Sequence, residues 1–238
     1  MIKRLKFSEL GNQNYGWLNA HYHFSFANYY HPNKMGYLPL VVWNDDEIKA
    51  GTGFPMHSHQ NMEIITYIRR GSITHTDNLG NIGKIKAGQI QIMSAGTGIT
   101  HSEYNYSDED TLLFQIWLEP NIKGIKPRWE NIDLKSNLDN NINILASGED
   151  KYKNSGILKI YQNATLKLIK EDSGNFLRYN LENNRHMYCV LSKGKIKING
   201  EIMCDRDGFY ILDESEIKIE FLDDSVIIIL DMVLLNNN

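Results

Sequence analysis

The sequence predicts an all-β chain organised as two β-barrel-like domains. Three observations carry this. Short β-branched and aromatic runs recur at fairly even spacing. Clusters of Gly, Asn and Asp separate them as turns. No amphipathic helix pattern longer than three turns occurs anywhere. At 238 residues the chain has room for one large domain or two of ordinary size.

The first fifty residues are aromatic, with Trp17, Tyr22, Phe24, Phe26, Tyr29, Tyr30, Tyr37 and Trp43 set among Gly, Asn and Pro. Phe24-Ser25-Phe26 alternates as a strand would, and Asn28 to Asn33 reads as a loop. Leu38 to Trp43 reads as a strand that Asn44-Asp45-Asp46 ends. Further strands are expected over Met62 to Ile68, Ile73 to Thr76, Lys84 to Lys86, Gln89 to Ser94 and Leu112 to Leu118. Asp77-Asn78-Leu79-Gly80-Asn81 is a strong turn signal, and His75 just before it reads as a turn or surface residue.

Glu119 to Asn143 changes character, with Pro120, Gly124, Pro127 and many asparagines. It reads as a crossover between two halves, with Arg128-Trp129-Glu130 able to pack against one of them. The strand rhythm then returns over Ile157 to Tyr161, Ala164 to Ile169, Asn175 to Tyr179, Met187 to Leu191, Lys195 to Asn199, Phe209 to Leu212, Glu216 to Phe221 and Ser225 to Met232. The expected division is 1–125 for a first barrel, 126–145 for the crossover and 146–238 for a second barrel.

Composition bounds the function classes. Hydrophobic residues make up 42% and charged residues 23%, the balance of a globular protein with a sizeable core. The formal net charge is -4 with no basic stripe, so no nucleic-acid partner is expected. Cys189 and Cys204 belong to no CxxC or Cys/His pattern and read as thiols in a reducing compartment. Met1 to Glu9 lacks the apolar core of a signal peptide. The longest strongly apolar run, Val226 to Leu230, is far too short to span a bilayer. The expectation is a cytoplasmic monomer with no membrane partner.

The chemistry concentrates between Gly51 and Asn105. His57 and His59 are spaced i, i+2, as are His101 and Glu103. On an extended strand such residues point to the same face, so each pair can aim two ligands at one point. Three imidazoles and one carboxylate make a first shell for a divalent transition metal. The interleaved glycines permit the bends of a small closed barrel, and Glu63 remains an alternative carboxylate. His21-Tyr22-His23 shares the spacing but has no second pair near it, and reads as structural. His186 is the only histidine of the second half and has no partners.

The Gly51-x5-His57-x-His59-x3-Glu63 pattern, followed by Gly96, His101 and Asn105, resembles the two cupin motifs. Gly53-Phe54-Pro55, Glu63 to Tyr67, Asp77 to Asn81, Met93 to Glu103 and, upstream, Phe24 to Tyr30 resemble the pirin branch of that superfamily. The likeness is close over residues 15–120 and weaker beyond. It extends to the bacterial pirin-like proteins described as quercetin 2,3-dioxygenases. The resemblance implies a bicupin with metal in the N-terminal barrel only, the C-terminal barrel being a degenerate copy. It implies metal ligands at His57, His59, His101 and Glu103; from that geometry Glu103 is also expected to act as the catalytic base. Four residues rather than two separate Gly96 from His101, a departure from the common second motif.

Fe(II) is the favoured ion, with Zn, Mn, Co, Ni or Cu compatible. The implied activity is opening of a flavonol such as quercetin by dioxygen. The alternative the resemblance carries is a redox-sensing, metal-dependent binding protein with a protein partner and no turnover.

Overall fold

The computed structural model describes residues 1–134, 142–182 and 184–233. Strands account for nearly all of its regular structure; 3-10 turns such as Phe7–Glu9 and Asp150–Tyr152 are three residues long. The chain forms two compact units. One comprises Gly11–Ser136 with Leu158–Gln162, and the other Met1–Leu10, Asn137–Ile157 and Asn163–Asn238.

In chain order the strands begin with β1 (Ile2–Leu5), which belongs to the second unit. The first unit follows with β2 (Gly11–Asn14), β3 (Leu18–Tyr22), β4 (Leu40–Ile48), β5 (Gly53–His59), β6 (Glu63–Arg70), β7 (Ser72–Asp77), β8 (Ile82–Lys86), β9 (Gln89–Ser94), β10 (Ile99–Tyr104), β11 (Thr111–Leu118) and β12 (Arg128–Asp133). They form two antiparallel sheets, ordered β12-β9-β6-β11-β4-β3-β2 and β5-β10-β7-β8. Leu18, Ala20, Ile48, Ile68 and Leu113 from the larger sheet share one buried cluster with Ile73 and Ile85 from the smaller, so the two sheets pack face to face.

The short β14 (Leu158–Lys159) falls in the first unit; the second unit contains β13 (Ile142–Ser147), β15 (Ala164–Glu171), β16 (Phe176–Asn180), β17 (His186–Lys193), β18 (Lys195–Ile198), β19 (Glu201–Cys204), β20 (Gly208–Ile211), β21 (Glu216–Phe221) and β22 (Ser225–Met232). Its order β20-β17-β22-β15 matches β9-β6-β11-β4, and β16-β21-β18-β19 matches β5-β10-β7-β8. Each label is offset by eleven, so the second unit repeats the topology of the first. The chain is an all-β bicupin.

Several elements differ from expectation. β4 does not end at Asn44. It runs through Asp45 and Asp46 because Asp45 finds an ion pair with Arg69, whose guanidinium also lies 4.5 Å from the Phe114 ring centroid. Phe24 to Phe26 is no strand; only an isolated bridge joins Phe26 to Tyr29. Within the expected crossover, Arg128–Asp133 is β12, paired along β9 from Arg128–Ser94 to Asp133–Gln89. Residues 135–141 of that segment lie outside the described residues. Met1–Leu10 falls in the second unit, where β1 pairs with β20 at the edge position that β12 holds beside β9.

Candidate metal centre

Two neighbouring strands carry the site. β10 runs antiparallel to β5 with His101 opposite His57 and Ile99 opposite His59. Period-two alternation buries Ile99, His101 and Glu103 of β10 and leaves Thr100, Ser102 and Tyr104 partly exposed. The β5–β10 register shifts between the His101–His57 and Glu103–Phe54 pairs, where β5 carries one extra residue, while β10 stays in regular register with β7, Glu103 opposite His75. Gly53 allows the strands to close up: a Cβ there would sit 2.3 Å from the Glu103 carbonyl oxygen.

His57, His59 and His101 each bring a ring nitrogen within 4.8 Å of the other two. The protons are assignable from hydrogen bonds. His57 Nδ1 lies 2.7 Å from the Pro55 carbonyl oxygen, which can only accept. Nδ1 therefore carries the hydrogen and Nε2 keeps the lone pair. His101 Nδ1 lies 3.3 Å from His75 Nδ1, while His101 Nε2 is buried and has no hydrogen-bond partner. A buried polar atom without a partner is uncommon and calls for a ligand. Convergent imidazole lone pairs suit a divalent transition metal, so the residues present fit such an ion. Burial, then the neighbouring His57, pushes His101 down to about 2 and His59 down to about 4. Both are neutral near pH 7, the form in which imidazole ligates.

Glu103 stands one step aside. It forms a second group with His75 and His101 within the same 4.8 Å limit, rather than with His57 and His59. Gln91 Nε2 donates to its Oε1 and Gln115 Nε2 to its Oε2, both at 2.5 Å. Burial holds its carboxyl up at about 7 against those hydrogen bonds. Both amides are themselves fixed by indoles. Trp129 Nε1 donates to Gln91 Oε1 at 2.7 Å, and Trp117 Nε1 to Gln115 Oε1 at 3.2 Å.

His75 corrects the sequence reading. It is fully buried rather than a surface or turn residue. Its Nε2 lies 2.9 Å from Asp77 Oδ2, and its ring stacks on Trp129 at 4.8 Å and 9°. Asp77 is held in turn by the backbone N–H groups of Leu79 and Asn81 and by Asn81 Nδ2. Burial would raise the Asp77 carboxyl, but His75 and these donors together hold it below its ordinary value. The turn sequence 77–81 thus builds an outer support of the site. Gly83, cross-strand from His75, makes the room: a Cβ there would lie 2.2 Å from the Trp129 ring.

The remaining candidates lie elsewhere. Glu63 is in neither ligand-capable group; it accepts from Ser94 Oγ at 2.8 Å and the Tyr161 backbone N–H at 3.1 Å. Burial pushes it up to about 7. Asn105 ties down its own loop, donating to the Glu109 carbonyl and accepting from Ser107. His21 and His23 join neither group. In the second unit β16 and β21 take the places of β5 and β10, and their Tyr179, Ile217 and Ile219 belong to an apolar cluster.

A cavity of about 160 Å³ lies beside the histidines, lined by Tyr22, Phe26, Phe54 and Trp117 with Asn44, Asp46 and Gln115. His57 and His59 form part of its wall. A cavity of roughly this size accommodates a single benzene ring.

Comparison with known proteins gives a family for both parts of the chain. The pirin family matches residues 5–118, and the quercetinase C-terminal cupin domain matches residues 144–232. A protein of Escherichia coli K12 called quercetin 2,3-dioxygenase is 40% identical over 98% of this chain and 99% of its own. A pirin-like protein of Caulobacter vibrioides is 44% identical over 97% of this chain and 99% of its own. The crystal structure of a bacterial pirin from Escherichia coli in complex with nickel(II) superposes with a TM-score of 0.92 at 39% identity, covering 99% of this chain and 100% of that one.

Proposed function

The chain belongs to the pirin family of bicupins, and from that premise we propose that it is a metal-dependent dioxygenase that opens a hydroxylated aromatic heterocycle such as quercetin. The observation that carries this is the meeting of three converging imidazoles with a cavity of one-ring size. A relative of known structure binds nickel(II), and another is called a quercetin 2,3-dioxygenase.

His57, His59 and His101 are the proposed nitrogen ligands and Glu103 the proposed carboxylate ligand and base. Iron(II) is the proposed ion, since mixed histidine and carboxylate donors with open positions suit oxygen chemistry at iron. A bound divalent ion supplies Lewis acidity, which makes a coordinated hydroxyl easier to deprotonate. The protein does the rest. Trp117 meets the His59 ring edge-on at 4.9 Å and, with Phe26 and Phe54, keeps the entering ring in apolar surroundings. The Glu103 carboxylate accepts the proton of the flavonol 3-hydroxyl, with Gln91 and Gln115 holding its two oxygens in place. Overall one flavonol and one dioxygen give the ring-opened ester and one carbon monoxide.

The test is to load the purified protein with iron(II), add quercetin under air, and follow oxygen uptake and the visible absorbance together. Oxygen consumption coupled to loss of the flavonol absorbance, with carbon monoxide released, is the expected result. Binding without oxygen uptake sinks the dioxygenase and favours a non-catalytic binding role.

A further inference from the structure

The inward row of β4 carries two buried polar residues. Asn44 and Asp46 are spaced i, i+2 with Ile48 continuing the row into the buried cluster. Trp43 and Asp45 occupy the opposite face, where Asp45 meets Arg69. Asn44 is 4% exposed and Asp46 2% exposed, and both line the cavity beside His57 and His59. One oxygen of each, Asn44 Oδ1 and Asp46 Oδ1, has no hydrogen-bond partner in the protein. Their opposite wall comes from β5 in the smaller sheet, so the histidines and these two oxygens bound the same space.

We propose that Asn44 and Asp46 form a hydroxyl-binding subsite that takes a phenolic hydroxyl on the ring entering the cavity. This rests on the reading of the site as one for hydroxylated aromatics, and it narrows that class. An unpartnered amide oxygen can only accept, so its complement is a donor. A phenolic O–H can donate to either oxygen, Asn44 Oδ1 or Asp46 Oδ1; a ring edge without hydroxyls donates to neither. A site whose buried polar groups expect a hydroxyl discriminates against the analogue that lacks it, because the empty partner stays desolvated.

The experiment compares quercetin with 3-hydroxyflavone, which keeps the 3-hydroxyl and 4-carbonyl and lacks the other ring hydroxyls. Both are titrated anaerobically into iron-loaded protein, so binding is read without turnover. The subsite predicts that quercetin binds roughly tenfold more tightly. In Asp46→Leu and Asn44→Leu the ratio falls towards one. Melting temperatures of the variants show whether each is folded, and Asp46→Asn serves as a conservative second variant that retains a polar partner and part of the preference. Equal binding of the two flavonols to the unsubstituted protein overturns the subsite while leaving the dioxygenase standing. So does a ratio that survives both leucine variants, the result expected if ordered water is the only occupant. Failure of both flavonols to bind removes the subsite together with the flavonol reading beneath it.

Discussion

His75 and His101 meet through their Nδ1 atoms, 3.3 Å apart, and the hydrogen between them belongs to His101. The assignment runs inward from Asp77. Its carboxylate only accepts, so His75 Nε2, at 2.9 Å, is protonated. Burial holds His75 below its ordinary value, so the ring is neutral and Nδ1 is bare. His101 Nδ1 must then donate, which leaves its unpartnered Nε2 with a lone pair. Asp77 thus sets the tautomer of a proposed metal ligand through one intervening imidazole.

Asp77→Asn tests that chain. The amide keeps an oxygen for the turn but can turn a donor towards His75, which reverses both tautomers and blocks the lone pair of His101. Metal affinity should fall about 10- to 100-fold, the usual effect of losing an outer partner of a ligating histidine. Competition against a chelator measures it, and unchanged affinity would show that the tautomer is set elsewhere.

His57→Ala and His101→Ala should each cost most of the bound metal, and oxygen uptake with it. Metal content per chain is the direct readout. Removing His101 relieves one buried, unpartnered nitrogen but leaves the buried His75 Nδ1 without its donor, so the metal-free variant should be less stable than the metal-free parent by about 1–3 kcal/mol in urea unfolding.

Glu63 predicts a pH effect separate from the site. Its folded carboxyl is held at about 7 by burial, against an ordinary 4.5. A group raised on folding contributes stability that is fully present below pH 4.5 and is lost as pH rises through about 7. Glu63→Gln should therefore flatten the fall in stability between pH 4.5 and 7, by up to ~3 kcal/mol. Urea unfolding of parent and variant across this range checks it, and parallel curves would contradict it.

Gly83→Ala should push the Trp129 ring, which lies 2.2 Å from the position of the new Cβ. Overpacking of this kind costs ~1–3 kcal/mol. The stack on His75 should loosen and the tryptophan emission shift, with metal affinity falling less than in Asp77→Asn.

The sequence made the barrels legible where apolar and polar residues alternate between turn signals, as at Gln89–Ser94, which is β9 residue for residue. It also showed the three histidines, because i, i+2 spacing on a strand fixes a shared face. What it hid depends on pairing across strands. Asn44-Asp45-Asp46 looks like a stop because free carboxylates avoid interiors; the Arg69 partner of Asp45 lies 24 residues on. Asp77 was visible as a turn residue, but its second use, on His75, needs the fold. Gln91 and Gln115 meet on Glu103 from two different strands, and nothing local marks either amide. Glu103 itself was placed by spacing beside His101, while its cross-strand partner on β7 is His75, which groups it with His75 and His101 instead of His57 and His59.

The central claim is a metal-dependent oxygenase built on His57, His59 and His101. The most direct test measures, on one preparation, iron per chain and oxygen consumed with quercetin, for the parent and for His101→Ala. The account predicts close to one iron per chain and uptake that scales with it, with both lost in the variant. Undiminished oxygen uptake in an iron-free His101→Ala protein would contradict it.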